Sequence, residues 1–309
     1  MKKAFLFPGQ GSQITGMGYD IFNMYPEAKE IFERFDDIFG HKISEYCFFG
    51  EKEFLQKTEI AQPAILATSL AFSKVLKNKN ITPDYLAGHS LGEYTALVCG
   101  KVLKFEEALK LVKIRSELMA KVGENYPGTM IAVIGMNKKE LERTCTDFSD
   151  HDEVVIANYN GPEQMVVSGT ISGIEKFSNL IQEKGKKVIQ LNVSAAFHSY
   201  LMKPALSELV DAIDDTEFFD SDVPIITNVD NTMTTEGKKF KEKLKWQLIS
   251  PVLWEDSIRS MIEYNIEAFI EVGPQKILTN LNKRIDNSIK SFSINNNDAI
   301  NELELFLSA

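Results

Sequence analysis

Cysteine is scarce in this chain of 309 residues: Cys47, Cys99 and Cys145 are odd in number and widely spaced. That excludes a disulfide framework and fits a reduced, cytoplasmic compartment. No histidine or cysteine pair has metal-ligand spacing, so no metal site is expected. No apolar run approaches the length of a membrane span, so no membrane partner is expected. Positive charge is in deficit, with a formal net charge of −10. This argues against nucleic acid as a partner, because such binding needs a basic footprint. A local lysine patch can still serve an acidic partner. Sequence repeats and low-complexity linkers are absent as well.

What remains is the profile of a soluble globular protein, 44% hydrophobic and 25% charged, long enough for a sizeable core and two structural units. The start, Met1-Lys2-Lys3-Ala4-Phe5-Leu6-Phe7, has an apolar run too short for a signal peptide and reads as a buried strand. Strand and helix patterns then alternate: Lys3–Phe7 strand, Pro63–Leu76 helix with Pro63 in its first turn, Tyr85–Ala87 strand, Phe105–Val122 helix. Such alternation predicts a parallel sheet covered on both faces. From Gly128 the order becomes βαββαβ, over 129–134, 138–145, 154–158, 164–168, 172–183 and 187–191. That is the order of a ferredoxin-like unit. After His198 the alternation returns, with strands near Pro224–Thr227 and Ala268–Val272 and a last helix from Asp298 to Leu307. The expected architecture is α/β: a parallel-sheet, α/β-hydrolase-like large domain (1–126 and 197–309) carrying an inserted, small ferredoxin-like domain (127–196). A cleft between two such bodies is a usual place for a substrate.

The most informative stretch is Tyr85-Leu86-Ala87-Gly88-His89-Ser90-Leu91-Gly92-Glu93. A short apolar run leads into G-x-S-x-G and then into helix-forming residues, the order of a strand, nucleophile elbow and helix. Gly88 and Gly92 lack the Cβ atoms that would crowd the turn, and Ser90 is held out towards a substrate carbonyl. Serine needs a base within hydrogen-bond reach. Four histidines are available. His89 should point away from its neighbour, and His41 and His151 sit in polar, loop-like surroundings. His198, in Val193-Ser194-Ala195-Ala196-Phe197-His198-Ser199, follows the last small-domain strand and is the candidate base, a role worth roughly 10²–10⁴ in rate. The main acidic cluster between Ser90 and His198 (Asp147, Asp150, Asp152 and Glu153) reads as a solvated loop. A dyad oriented by a carbonyl or an amide is therefore expected.

Arg115 lies in the middle of the apolar face formed by Ala108, Leu111, Val112, Leu118, Met119 and Val122. An inward guanidinium needs an anion, either an internal Asp or Glu or a carboxylate on the substrate. Periodicity leaves both open. Phe7-Pro8-Gly9-Gln10-Gly11-Ser12-Gln13 is a glycine-rich turn without the G-x-x-x-x-G-K-[ST] pattern of a phosphate loop. It can present Gln10 and backbone N–H groups to an oxyanion.

Taken together, the chain resembles the malonyl-CoA:acyl carrier protein transacylases of type II fatty acid synthesis. The resemblance spans Phe7–Gln13, Thr58-Glu59-Ile60-Ala61-Gln62-Pro63-Ala64, Gly88–Glu93, Asn158-Tyr159-Asn160-Gly161-Pro162 and Glu271-Val272-Gly273-Pro274. It implies a cytoplasmic ping-pong acyltransferase with malonyl-CoA and acyl carrier protein as substrates, no cofactor, and a monomeric state. Ser90 would be acylated, with His198 as base and then acid. Gln10 and the N–H of Leu91 would form the oxyanion hole, and Arg115 would grip the malonyl carboxylate. Gln247 would orient His198 through its main-chain carbonyl. Gln62, Asn158, Asn160 and Phe197 would bind substrate. Malonyl-preferring relatives often carry His-Ala-Phe-His; here Ala195-Ala196-Phe197-His198 keeps the bulky Phe197, which should crowd an α-methyl group. Gln275 replaces a glycine usual in the family, with little consequence expected. The carrier is acidic, so Lys184, Lys186 and Lys187 are the candidate docking patch. A free-standing polyketide-type acyltransferase is the alternative, and a serine thioesterase or esterase a further one.

Overall fold

Residues 1–148 and 154–308 are described by the computed structural model; His151, Asp150, Asp152 and Glu153 lie outside them. The strands in chain order are β1 (Lys3–Phe7), β2 (Tyr85–Gly88), β3 (Gly128–Ile134), β4 (Val154–Gly161), β5 (Gln164–Thr170), β6 (Lys187–Gln190), β7 (Ile225–Ile226), β8 (Met233–Thr234), β9 (Ala268–Val272) and β10 (Lys290–Ile294). They form two sheets, ordered β10-β9-β1-β2-β7-β8 and β4-β5-β3-β6.

In the first sheet every residue of Ala4–Phe7 and of Ala268–Val272 is buried. Burial on both faces is what near-continuous apolar strands of a parallel sheet require. Phe32, Phe35 and Leu66, from helices Pro26–Phe39 and Thr58–Asn78, cover one face. Trp254, Ile258, Leu278 and Leu281, from helices Trp254–Glu263 and Ile277–Ile285, cover the other. Phe7 of β1 pairs with Gly88 of β2. The turns leaving both carboxyl ends therefore emerge side by side, where open α/β sheets bind their ligands.

The second sheet is antiparallel throughout. Its side chains alternate between two covered faces: Ile131, Val133 and Val167 face Leu141, Ile174 and Phe177 of its two helices. Met130, Ala132 and Val166 face the main core. A backbone pair joins it to the rest, with Tyr159 N–H donating to Val252 O and Val252 N–H to Ala157 O, both 2.9 Å.

Two expectations need correcting. The large sheet is not wholly parallel, since β8 runs antiparallel to β7. Only six residues separate those strands, closed by Thr227 N–H donating to Thr232 O, and so short a connection can make only a hairpin. The helix containing Pro63 starts at Thr58, so Pro63 sits beyond the first turn. There it forfeits one backbone hydrogen bond, while a side-chain bond from Gln62 Nε2 to Thr58 Oγ1 (2.7 Å) braces the turn before it. Residues 19–55, which the sequence reading leaves unassigned, fold as four helices.

Candidate active site

Ser90 stands between β2 and the helix Leu91–Cys99 at φ 51° and ψ −105°. A β-carbon makes that region costly, and the surrounding structure must impose it. Asn228 does so: its Oδ1 accepts from Ser90 N–H (2.7 Å) and its Nδ2 donates to Gly88 O (2.6 Å). The carbonyl of Phe7 takes the N–H of His89 at 2.9 Å, tying the elbow to β1.

Ser90 Oγ lies 2.8 Å from His198 Nε2. Nδ1 of the same ring faces the carbonyls of Gln247 and Ser250, each at 3.0 Å. Carbonyls only accept, so Nδ1 carries the proton and Nε2 offers its lone pair to the serine hydroxyl. Burial, reinforced by the charge of Arg115, pushes the imidazole down to about 3. It is neutral at physiological pH, as a base must be. No carboxylate touches this ring among the described residues.

Arg115 is 1% exposed. Its Nη1 donates to Gln62 Oε1, and its Nη2 donates to Ser90 Oγ (3.1 Å) and Gln247 Oε1 (3.2 Å). Nε is buried with no partner among the described residues. Burial lowers its affinity for a proton, yet a guanidinium stays charged. The acceptors on its two terminal nitrogens are neutral, and Glu93, whose charge attracts it, forms no ion pair with it within 4 Å. A buried cation so arranged leaves a place for an anion next to the serine.

The turn after β1 supplies the opposite wall. Gln10 Oε1 accepts from Thr58 Oγ1 at 2.8 Å, which turns its amide nitrogen to donation. Leu91 begins the helix behind the serine, where backbone N–H groups lack intrahelical partners. These groups open on a cavity of about 560 Å³ lined by Gln10, Ser90, Leu91, Arg115, Phe197 and His198 among others.

Comparison with known proteins shows the family. Residues 4–296 match the family model described as acyl transferase domain. The malonyl CoA-acyl carrier protein transacylase of Bacillus subtilis (strain 168) is 42% identical over 301 residues, covering 97% of this chain and 95% of the relative. The chain belongs to the acyl transferase family. Within it the acyltransferase is similar to a solved acyl carrier protein S-malonyltransferase from Vibrio cholerae, at 36% identity and TM-score 0.93, over 98% of this chain and all of the other. It is also similar, at 33% identity and TM-score 0.95, to a malonyl-transacylase solved in complex with a type II PKS acyl-carrier protein, over 99% and 100% of the two chains.

Of the residues singled out from the sequence, Ser90, His198, Arg115, Gln10, Leu91, Phe197 and Asn158 meet at the cavity. Gln62 does not line it: fully buried behind the pocket, it holds Nη1 of Arg115. Asn160 is also set back, its Oδ1 2.8 Å from His89 Nε2. Lys184, Lys186 and Lys187 stay off the wall, Lys186 with its Nζ on the carbonyl of Gly135. The lysine that does line the cavity is Lys52. Gln275 has more consequence than expected. At φ 62° it occupies a conformation that suits glycine, and its amide donates to the carbonyls of Ser12 (3.1 Å) and Gln13 (3.4 Å), bracing the Gln10 turn. Asn228, Ser250, Thr58 and Glu93 escaped the sequence reading. Asn228 and Ser250 act through a single side chain or carbonyl with no motif of their own, and Thr58 opens a quoted stretch in which no role is assigned to it. Glu93, at least, stands inside the quoted elbow motif, where a charge on a buried helix face is the available signal.

No helix among the described residues is long and apolar enough to cross a membrane.

Proposed function

We propose that this acyltransferase moves a malonyl group from malonyl-CoA to the phosphopantetheine thiol of an acyl carrier protein, through an ester on Ser90. His198 Nε2 takes the hydroxyl proton as Oγ attacks the thioester carbonyl. The amide of Gln10 and the N–H of Leu91 receive the oxyanion; one such donor is typically worth about 2.7–4 kcal/mol. Collapse expels the CoA sulfur, which leaves with the proton held on His198. The carrier thiol then gives its own proton to His198, attacks the ester and regenerates Ser90.

The observation that carries this reading is the buried guanidinium with only neutral acceptors, 3.1 Å from the nucleophile. Malonyl places a carboxylate one methylene from its thioester carbonyl. The clamp and the attacking oxygen are correspondingly close. Phe197 on the cavity wall would crowd an α-methyl group, and Asn158 would help to seat the acyl chain. Gln62 and Asn160 act from behind, on Arg115 and His89. Gln247 orients His198 through its carbonyl. The reaction needs no resident cofactor, and we assign it to a cytoplasmic, monomeric enzyme of fatty acid biosynthesis. We read the two bodies as an α/β-hydrolase-like domain (1–126 and 197–309) with a ferredoxin-like insertion (127–196), for which the sheet order β4-β5-β3-β6 speaks.

The test mixes pure protein with malonyl-CoA and follows intact mass. A malonyl adduct on Ser90 should form and be discharged by carrier protein. Arg115→Ala should slow malonyl loading far more than acetyl loading, by at least about a hundredfold if a buried charge-assisted bidentate pair is lost. Equal slowing of both would reject the clamp.

A further inference from the structure

Glu93 has no part in the reaction as written above, yet it is buried (3% exposed) three residues after the nucleophile. Burial pushes its carboxyl up to about 7, against the pull of its partners. A Leu or Met would fill the same volume without that desolvation cost. Among the described residues it makes no ion pair within 4 Å. Its short contact is to a neutral amide: Gln247 Nε2 donates to Glu93 Oε2 at 2.6 Å.

That amide is the hub of the site. Its nitrogen also donates to the main-chain oxygen of Ser90 at 3.0 Å, and its Oε1 accepts from Arg115 Nη2 at 3.2 Å. A primary amide can be rotated by half a turn at little cost in shape. Here rotation would set NH₂ against the guanidinium and oxygen against both the carboxyl and the carbonyl of the elbow. All three contacts would turn from attractive to repulsive. That holds for the carboxylate, which only accepts; a protonated carboxyl has an O–H to donate, so the ionised form is the one that fixes the amide. Arg115 depends on it, because Nε has no partner and Nη1 has only Gln62.

We propose that Glu93 is a positioning residue: it holds the Gln247 amide in the one orientation that aims Arg115 at the acyl site beside Ser90. This rests on the reading of Arg115 as a carboxylate clamp. Glu93 touches no reacting atom and acts through Gln247. Glu93→Gln keeps the volume and removes the constraint, since a glutamine can offer either oxygen or NH₂ to its neighbour.

The test measures loading of Ser90 by malonyl-CoA and by acetyl-CoA, read by intact mass, in the full chain carrying Glu93→Gln, Gln247→Ala or both. Gln247→Ala leaves the carbonyl that orients His198. Glu93→Gln should lower the malonyl-to-acetyl ratio of loading rates about tenfold, the size of one hydrogen bond to a charged group. Gln247→Ala should lower it comparably. The double variant should fall no more than about twofold below Gln247→Ala, because the two residues act in series. Equal slowing of both acyl donors would reduce Glu93 to packing and overturn the inference. So would losses in the ratio that multiply in the double variant. Should Glu93→Gln fail to fold, Gln247→Ala decides: an unchanged ratio rejects the link. A wild-type protein that malonyl-CoA does not load would instead sink the functional reading itself.

Discussion

At the scale of single residues, the site works by withholding solvent and charge. His198 is 5% exposed and sits at φ 57°, with Arg115 near enough to disfavour its protonation. Its pKa of about 3 lies below the 6.5 of a free histidine. Between those values the unfolded chain binds a proton that the folded chain refuses, so stability falls as pH drops through the window. The contribution is fully present above 6.5 and fades towards acid. From pH 6.5 to pH 5 the wild type should lose about 1–2 kcal/mol on this account. His198→Gln, which cannot titrate, should lose that much less over the same interval in urea titrations. Parallel losses in both proteins would mean that the imidazole is not held neutral by its surroundings. The residue scale also shows what sequence can and cannot reveal. Ser90 and Arg115 are legible because each carries a local signature, a glycine-framed turn and a cation on an apolar stripe. Their supports are not. Asn228 lies 138 residues from the serine it pins, and Gln247 lies 154 residues from Glu93. No periodicity links such pairs; only the sheet order does.

At the scale of elements, the elbow depends on three chain segments passing almost without side chains between them. A Cβ on Gly92 would lie 2.0 Å from the carbonyl oxygen of Phe7, and one on Gly88 1.9 Å from Gly92 itself. Both obstacles are backbone atoms of a central strand or of the turn, which cannot rotate away. Gly92→Ala should therefore cost at least about 3 kcal/mol, the upper range for overpacking. Gly135→Ala is the useful control, with φ +85° but open space around it; it should cost about 1 kcal/mol from backbone conformation alone. Equal destabilisation of the two variants in chemical denaturation would show that close approach is not what fixes this glycine. The same packing explains which elements are easy to foresee. β1, β2 and β9 announce themselves as short, mainly apolar runs because both faces are covered; Glu271, the one acid in β9, accepts from the N–H groups of Leu278 and Thr279. Between 19 and 55 three of the four helices have seven residues or fewer and never complete a readable pattern, whereas Pro26–Phe39 carries a full apolar stripe of Ala28, Ile31, Phe32, Phe35 and Phe39 that the sequence reading passes over. β8 has two residues and carries no period at all, whereas β7, equally short, is flagged by the apolar stretch within Pro224–Thr227.

For the whole molecule, the decisive quantity on the proposed reading is how charge is distributed around a cavity that admits a thioester donor and then a thiol acceptor. The chain carries a net charge of −10, so an acidic carrier protein is repelled at long range and must find a local exception. Lys184 and Lys187 are exposed on the approach to and start of β6, the strand that runs on to Leu191, Asn192 and Val193 of the cavity wall. Lys186 between them is committed to the carbonyl of Gly135, so its loss would disturb the small sheet as well as the surface. The informative variant is accordingly Lys184→Glu with Lys187→Glu, leaving Lys186 in place. We expect the KM for an acidic carrier protein to rise about fivefold at low salt, with the KM for malonyl-CoA unchanged. The difference should shrink as ionic strength rises, because exposed charges are screened beyond about 8–10 Å at 0.1–0.15 M salt. A salt-independent rise would point to damaged packing, and an unaltered KM for the carrier would move the docking surface elsewhere, with Lys52 at the cavity as the next residue to reverse.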